Sequence, residues 1–254
     1  MTRPPRYPVL LHGFTGSAAS WGGRVVDGLT GAGLTPVLLD LPGHGGDAGR
    51  RDPPAFTLDA VLAQISEAGD WPADVVGYSM GGRLALHFAA AHPERVRRLV
   101  LESASPGLAT EPERAARRAA DEALAASLLS DGVEAFVDRW EAQPLFESRL
   151  RLESDVVAHH RELRLRNDAA SLAAALRGLG TGSLPSLWER LPDIAVPTLL
   201  VVGALDRKFV QIAERMATAM PSARVAVVPD AGHTVHLERP SAWLAVVTDF
   251  LRVG

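Results

Sequence analysis

The residues richest in chemical potential are Gly77, Tyr78, Ser79, Met80, Gly81 and Gly82, a G-x-S-x-G pattern extended by one glycine. The pattern follows the apolar pair Val75-Val76 and opens an apolar helical pattern at Arg83. A serine on a sharp turn between a strand and a helix presents its hydroxyl at the edge of a sheet. Glycines suit the flanks because side chains there would collide with neighbouring backbone, and a helix N-terminus favours negative charge developing beside it. A serine hydroxyl is a poor nucleophile or base alone and needs an imidazole. Of eight histidines, His233 is the first choice: it lies in Ala231-Gly232-His233, on a loop that follows a strand pattern. His236, three residues on, competes with it. His92, before Pro93, reads as a helix cap, His159 and His160 read as solvated, and His44 sits in the turn Leu41-Pro42-Gly43-His44-Gly45. The imidazole in turn needs an acid to fix its tautomer. Asp206, in Gly203-Ala204-Leu205-Asp206, is the candidate, although a surface turn could use an aspartate in the same way. Negative charge on a substrate oxygen needs donors as well. His12-Gly13-Phe14 ends the first strand pattern, so the amides of Phe14 and Met80 are the expected oxyanion hole. One such donor is worth about 3–4 kcal/mol in a transition state.

These residues must be positioned by the elements around them. Short apolar runs at 8–12, 36–40, 74–78, 99–102, 198–203 and 224–228 are bounded by Gly, Pro and Asp, as strands buried on both faces of a parallel sheet would be. Helical patterns lie between them, at 58–68, 82–91, 211–219 and 241–251. The alternation predicts a doubly wound, mostly parallel α/β sheet. Between 104 and 192 the rhythm breaks into helical patterns at 111–130, 133–140, 150–166 and 169–179. The predicted organisation is a core of residues 1–103 and 193–254 with a helical cap, 104–192, over the carboxyl edge of the sheet, where open α/β folds bind ligands. A purely structural helical subdomain is the alternative.

Composition narrows the class. The chain has 254 residues, 47% hydrophobic and 22% charged, which is ordinary for a globular protein and excludes a disordered one. It has no cysteine, so thiolate nucleophiles, disulfides and iron–sulfur clusters are excluded, and a reducing cytoplasm is the expected setting. A net charge of −4 gives no reason to expect a nucleic-acid partner. The first residues are too polar for a signal peptide, and no apolar run is long enough to span a membrane. Among 26 basic residues Lys208 is the only lysine, so an arginine carries little information by its type alone. A monomer or a small homo-oligomer fits equally well.

Several segments resemble one enzyme family. They are Leu11-His12-Gly13-Phe14-Thr15-Gly16-Ser17, Asp40-Leu41-Pro42-Gly43-His44-Gly45 and the serine motif through Arg83, then Ser105-Pro106-Gly107-Leu108, and Glu113-Arg114 through Arg117 to Asp121. Trp140-Glu141-Ala142-Gln143-Pro144-Leu145-Phe146, Leu165-Arg166-Asn167, Asp206-Arg207-Lys208-Phe209 and Ala231-Gly232-His233 complete the set. Together with the order Ser79, Asp206, His233, they resemble the α/β-hydrolase superfamily and, more narrowly, the 2-succinyl-6-hydroxy-2,4-cyclohexadiene-1-carboxylate synthases (MenH) of menaquinone biosynthesis. The resemblance implies an α/β-hydrolase fold with a helical lid inserted after the sixth-strand position of that fold. With only seven residues before the first strand pattern, the antiparallel strands that open larger hydrolases are expected to be missing or minimal. It implies a lyase that eliminates pyruvate from an enolpyruvyl-cyclohexene tricarboxylate, with no metal or organic cofactor. Carried over by motif, the substrate-binding residues would be Arg83, Arg117, Arg166 and Lys208 for the carboxylates, with Tyr78, Trp140 and Phe146 lining the pocket. Arg118 is the alternative to Arg117, Arg166 could instead cap a helix, and Trp140 could be a core residue. A serine esterase or carbon–carbon bond hydrolase would use the same triad, and a non-catalytic receptor on this fold is the remaining rival.

Overall fold

The computed structural model describes residues 6–252. Six strands form one sheet: β1 (Val9–Leu11), β2 (Val37–Leu39), β3 (Ala73–Tyr78), β4 (Val96–Glu102), β5 (Thr198–Gly203) and β6 (Ala223–Val228). Their order is β2-β1-β3-β4-β5-β6, and every pairing is parallel. The helices are α1 (Gly22–Gly31), α2 (Leu58–Glu67), α3 (Met80–Ala91), α4 (Glu111–Glu141), α5 (Ser154–Leu165), α6 (Ala169–Leu179), α7 (Arg207–Ala219), the single turn α8 (Val235–Glu238) and α9 (Pro240–Arg252).

The apolar runs are continuous because both faces of the sheet are covered. Successive side chains of a strand point to opposite faces. Val9, Leu11, Val75, Leu99 and Leu101 pack with α2, α3 and α7. Leu10, Val76, Val100, Leu199 and Val201 pack with Val25 and Leu29 of α1 and Trp243 and Val247 of α9. Burying one such side chain contributes ~1.5–3 kcal/mol. All six expected strands are present, with β4 starting three residues earlier than its apolar run. Helix α1 went unread because Gly22, Gly23, Gly28 and Gly31 make it a poor helix by propensity. Tertiary packing overrides that: Val25 and Leu29 are buried, and a Cβ at Gly28 would run into the Leu244 side chain of α9.

The chain between β4 and β5 is helical. Helix α4 opens on a capping box, with Thr110 and Glu113 each satisfying the other's backbone amide, and breaks at Gly132 (φ 82°, ψ 173°). That break separates the two helices expected at 111–130 and 133–140. The expected helix 150–166 is shorter, because a 3-10 stretch, Pro144–Arg151, takes up its first residues before α5 begins. Phe136, Ala125 and Leu128 of α4 pack on Leu172, Ala173 and Leu176 of α6, while Ala175 and Leu179 of α6 join the core on the α3 side of the sheet.

Candidate active site

Strand β3 runs directly into Ser79, whose backbone is left-handed (φ 51°, ψ −109°), and α3 starts at the next residue. A non-glycine residue there is strained, and the surrounding hydrogen bonds hold it. The Ser79 amide donates to the Glu102 carbonyl at 2.9 Å, and the Arg83 amide donates to the Ser79 carbonyl at 3.0 Å. Gly81 allows the first turn of α3 to press against the end of β1: a Cβ there would run into the carbonyl oxygens of Leu11 and His12.

Three side chains from distant segments meet at this turn. His233 Nε2 lies 3.1 Å from Ser79 Oγ, and His233 Nδ1 lies 2.7 Å from Asp206 Oδ2. The aspartate therefore accepts a hydrogen bond from Nδ1–H, which leaves Nε2 as the acceptor facing the hydroxyl. Asp206 caps α7, and its other oxygen accepts from the Phe209 amide at 3.3 Å. The Phe209 ring packs edge-on to the imidazole, 4.6 Å between centroids. His236 is turned away: its Nδ1 lies 2.8 and 3.0 Å from the two oxygens of buried Glu102. The competition between the two histidines is thus resolved by geometry.

The loop after β1 faces Ser79. Buried His12 organises it, with Nδ1–H donating to the Gly13 carbonyl at 2.8 Å and Nε2 accepting from the Leu41 amide at 3.0 Å. Burial lowers the His12 pKa to about 4, which keeps the ring neutral and able to make both bonds. The amides of Phe14 and Met80 have no protein acceptor among the described residues. The helical insert grips the same loop. Asn167 Nδ2 donates to the Thr15 carbonyl at 2.9 Å, and the Phe14 ring meets Trp140 edge-on at 5.3 Å.

A cavity of about 980 Å³ opens in front of Ser79 and His233, walled by strand ends on one side and the insert on the other. Tyr78, Met80, Phe14, Arg83, Arg117, Trp140, Phe146 and Lys208, all singled out from the sequence, line it. Asp206 stands behind His233. Arg83 is buried, its Nη2 donating to the Leu179 carbonyl at 3.3 Å, and its pKa is lowered to about 10 by burial and by Arg117, against the opposing pull of Asp121. Arg117 is oriented by buried Asp121, whose Oδ1 accepts from its Nε at 2.8 Å. Arg118 instead donates to the Gly182 carbonyl and to Glu111, outside the cavity, so Arg117 is the inward member of the pair.

Two sequence expectations are corrected. Arg166 is exposed at the C-cap of α5 and does not line the cavity. The inward arginine of that helix is Arg164, whose Nε donates to Thr15 Oγ1 at 3.2 Å and whose Nη1 meets Glu141 at 2.8 Å. Two residues along a helix is more than half a turn of rotation, so the two side chains point oppositely. His160 is buried, not solvated. The signal for both was present: His160, Leu163, Arg164 and Asn167 have the i, i+3, i+4, i+7 spacing of one helix face. Arg215 is a cavity residue missed in the sequence, although Lys208, Gln211, Ile212 and Arg215 share one face of α7 by the same spacing. The cavity thus carries four cations, Arg83, Arg117, Lys208 and Arg215, against one carboxylate, Glu113, which is engaged at the Thr110 cap.

A serine, an aspartate and a histidine arriving in that order at the carboxyl edge of a parallel sheet, with free amides opposite the hydroxyl, define a serine site of the α/β-hydrolase type. No helix among the described residues is long and apolar enough to cross a membrane. Comparison with known proteins agrees. The chain belongs to the α/β-hydrolase fold family, whose model matches residues 9–240, and within it to the 2-succinyl-6-hydroxy-2,4-cyclohexadiene-1-carboxylate synthases. It is 43% identical to a Bacillus subtilis protein provisionally given that name, over 96% of this chain and 89% of the relative. It is 33% identical to the synthase of an Enterobacter species, covering 98% of this chain and 93% of that one. The solved structure of MenH from S. aureus superposes with a TM-score of 0.92 at 36% identity, covering 97% of this chain and 93% of that one.

Proposed function

We propose that this chain is a carbon–oxygen lyase of menaquinone biosynthesis, eliminating pyruvate from 2-succinyl-5-enolpyruvyl-6-hydroxy-3-cyclohexene-1-carboxylate, with residues 104–192 acting as a cap over the site. The observation that carries this reading is the pairing of a complete triad with a cavity that holds four cations. A simple ester needs no such charge; a tricarboxylate does, since each charge-assisted hydrogen bond contributes about 1.5–3 kcal/mol.

In this reading the ring C–H proton passes to Ser79 Oγ as His233 Nε2 takes the hydroxyl proton, and Asp206 stabilises the imidazolium. The C–H electron pair forms a ring double bond, the existing double bond shifts, and the C–O bond to the enolpyruvyl group breaks with its electrons on oxygen. The proton held at the Ser79–His233 pair is returned to that oxygen, and the released enol becomes pyruvate. The amides of Phe14 and Met80 stabilise oxyanion charge that develops on the succinyl ketone. Arg83 and Arg117 hold carboxylates, with Lys208 and Arg215 near the triad acid's helix.

The test is pyruvate release by the purified protein given the enolpyruvyl substrate, followed through coupled lactate dehydrogenase. Release that Ser79→Ala abolishes is expected. Release at background level, together with rapid turnover of a nitrophenyl ester, would establish a serine esterase instead.

A further inference from the structure

Glu238 ends the single turn α8, and its side chain returns to the loop that carries the His233 imidazole. Its Oε2 accepts from the Gly232 amide at 2.6 Å, and its Oε1 accepts from the Thr234 amide at 3.0 Å. These are the residues on either side of His233. Glu238 is buried and forms no ion pair among the described residues, so backbone amides are its partners. Burying a carboxyl group without a cation is costly, and hydrogen bonds from amides offset that cost.

Capping α8 does not explain both bonds. Thr234 is the N-cap of α8, and a side chain of the first turn commonly reaches back to an N-cap amide. Gly232 lies two residues before that cap, so its bond to Glu238 adds nothing to the helix. What it adds is a second anchor on the far side of His233. With both amides tied to one carboxyl group, the His233 backbone cannot rotate without breaking one of the bonds, and the direction of its side chain is set. Two further contacts hold the same segment. A Cβ at Gly232 would run into the Ser148 side chain, so the glycine lets the 3-10 stretch of the insert press on the loop. Thr234 Oγ1 and Tyr78 Oη are 2.9 Å apart, so the residue after the imidazole is hydrogen-bonded to the residue before Ser79.

We propose that Glu238 is a positioning residue for the reaction: by accepting from the amides of Gly232 and Thr234 together, it sets where the His233 imidazole stands between Ser79 and Asp206. That role follows from His233 serving Ser79 and needs nothing of the substrate. It calls for a carboxyl group in particular. Two oxygens accept from two donors, whereas a glutamine side chain has one acceptor and would turn its NH₂ toward the second N–H.

The experiment compares Glu238→Gln with the native protein in the pyruvate-release assay. In parallel, histidine labelled with the heavy nitrogen isotope lets NMR follow the His233 Nδ1–H resonance, assigned by its absence from Asp206→Asn. Misplacing a catalytic group by about 1 Å costs about 10²-fold, so kcat should fall by about that factor while KM changes by less than about twofold. Circular dichroism should be unchanged. The Nδ1–H resonance should move upfield as the hydrogen bond to Asp206 lengthens, a change that a merely structural role would not produce. A native kcat, or a resonance that stays in place, would overturn the proposal. Should the native protein release no pyruvate, the substrate assignment falls and the resonance alone decides: moved, it supports the role of Glu238; unmoved, it refutes it. Should Glu238→Gln not fold, Glu238→Asp takes its place. One methylene shorter, it keeps the carboxyl group but reaches only one of the two amides, so the same fall in kcat and the same upfield shift are expected, and native values of both would overturn the proposal.

Discussion

Acid should unfold this protein through its histidines, at a pH where most α/β proteins are still intact. Four of them, His12, His44, His87 and His160, are buried. Burial lowers their pKa values to about 4, 3, 4 and 3 respectively. In the unfolded chain all four titrate near 6.5. Above that pH both states hold these rings neutral and the full stability is present. Below it the unfolded chain takes up protons that the folded chain refuses, so stability falls as pH drops from about 6.5 toward the folded values. Near pH 5 the difference approaches four protons, a slope of about 5 kcal/mol per pH unit, and the cumulative loss by then is about 8 kcal/mol. A protein with the usual ~5–15 kcal/mol of stability is then at or close to its unfolding midpoint. Urea denaturation followed by tryptophan fluorescence between pH 8 and 5 measures the slope directly. His87→Leu should remove about one proton from it, or about 1.4 kcal/mol per pH unit, because His87 Nε2 has no hydrogen-bond partner to lose. Unfolding free energy that stays level between pH 7 and 5 would mean that these four rings are not held neutral by burial.

Three kinetic predictions concern the site. Arg117→Ala should raise KM ten- to a hundredfold, the equivalent of one lost charge-assisted contact of about 1.5–3 kcal/mol, with little change in kcat, while Arg118→Ala and Arg166→Ala stay close to the native value. Asp206→Asn should cut kcat by about 10⁴ through the wrong imidazole tautomer, with circular dichroism unchanged. Gly81→Ala should lower kcat far more than it raises KM, since the new methyl group pushes the end of β1, and with it the Phe14 amide, away from Ser79; steady-state kinetics separates the two effects.

Much of this was legible in the sequence, for identifiable reasons. Strands buried on both faces cannot hide: Val9–Leu11 and residues 199–203 are apolar at every position because both sides of the sheet are covered. Ser79 could be placed because a strand, a glycine-flanked turn and a helix follow one another locally. Other features depend on rotation or on distant partners. Arg164 and Arg166 differ only in which way α5 faces: the spacing of His160, Leu163, Arg164 and Asn167 marks that face, and packing against Thr15 and Glu141, remote in sequence, turns it inward. Helix α1 is glycine-rich and exists because α9 covers it.

In the proposed reaction Ser79 and His233 remove a proton from carbon and do not open an ester. Substituting deuterium at the ring carbon that loses its proton tests this most directly. A primary isotope effect on kcat is expected under conditions where the chemical step limits turnover, with no covalent adduct on Ser79 by intact-protein mass spectrometry. Identical rates for the two isotopologues, with an acyl group accumulating on Ser79, would contradict it.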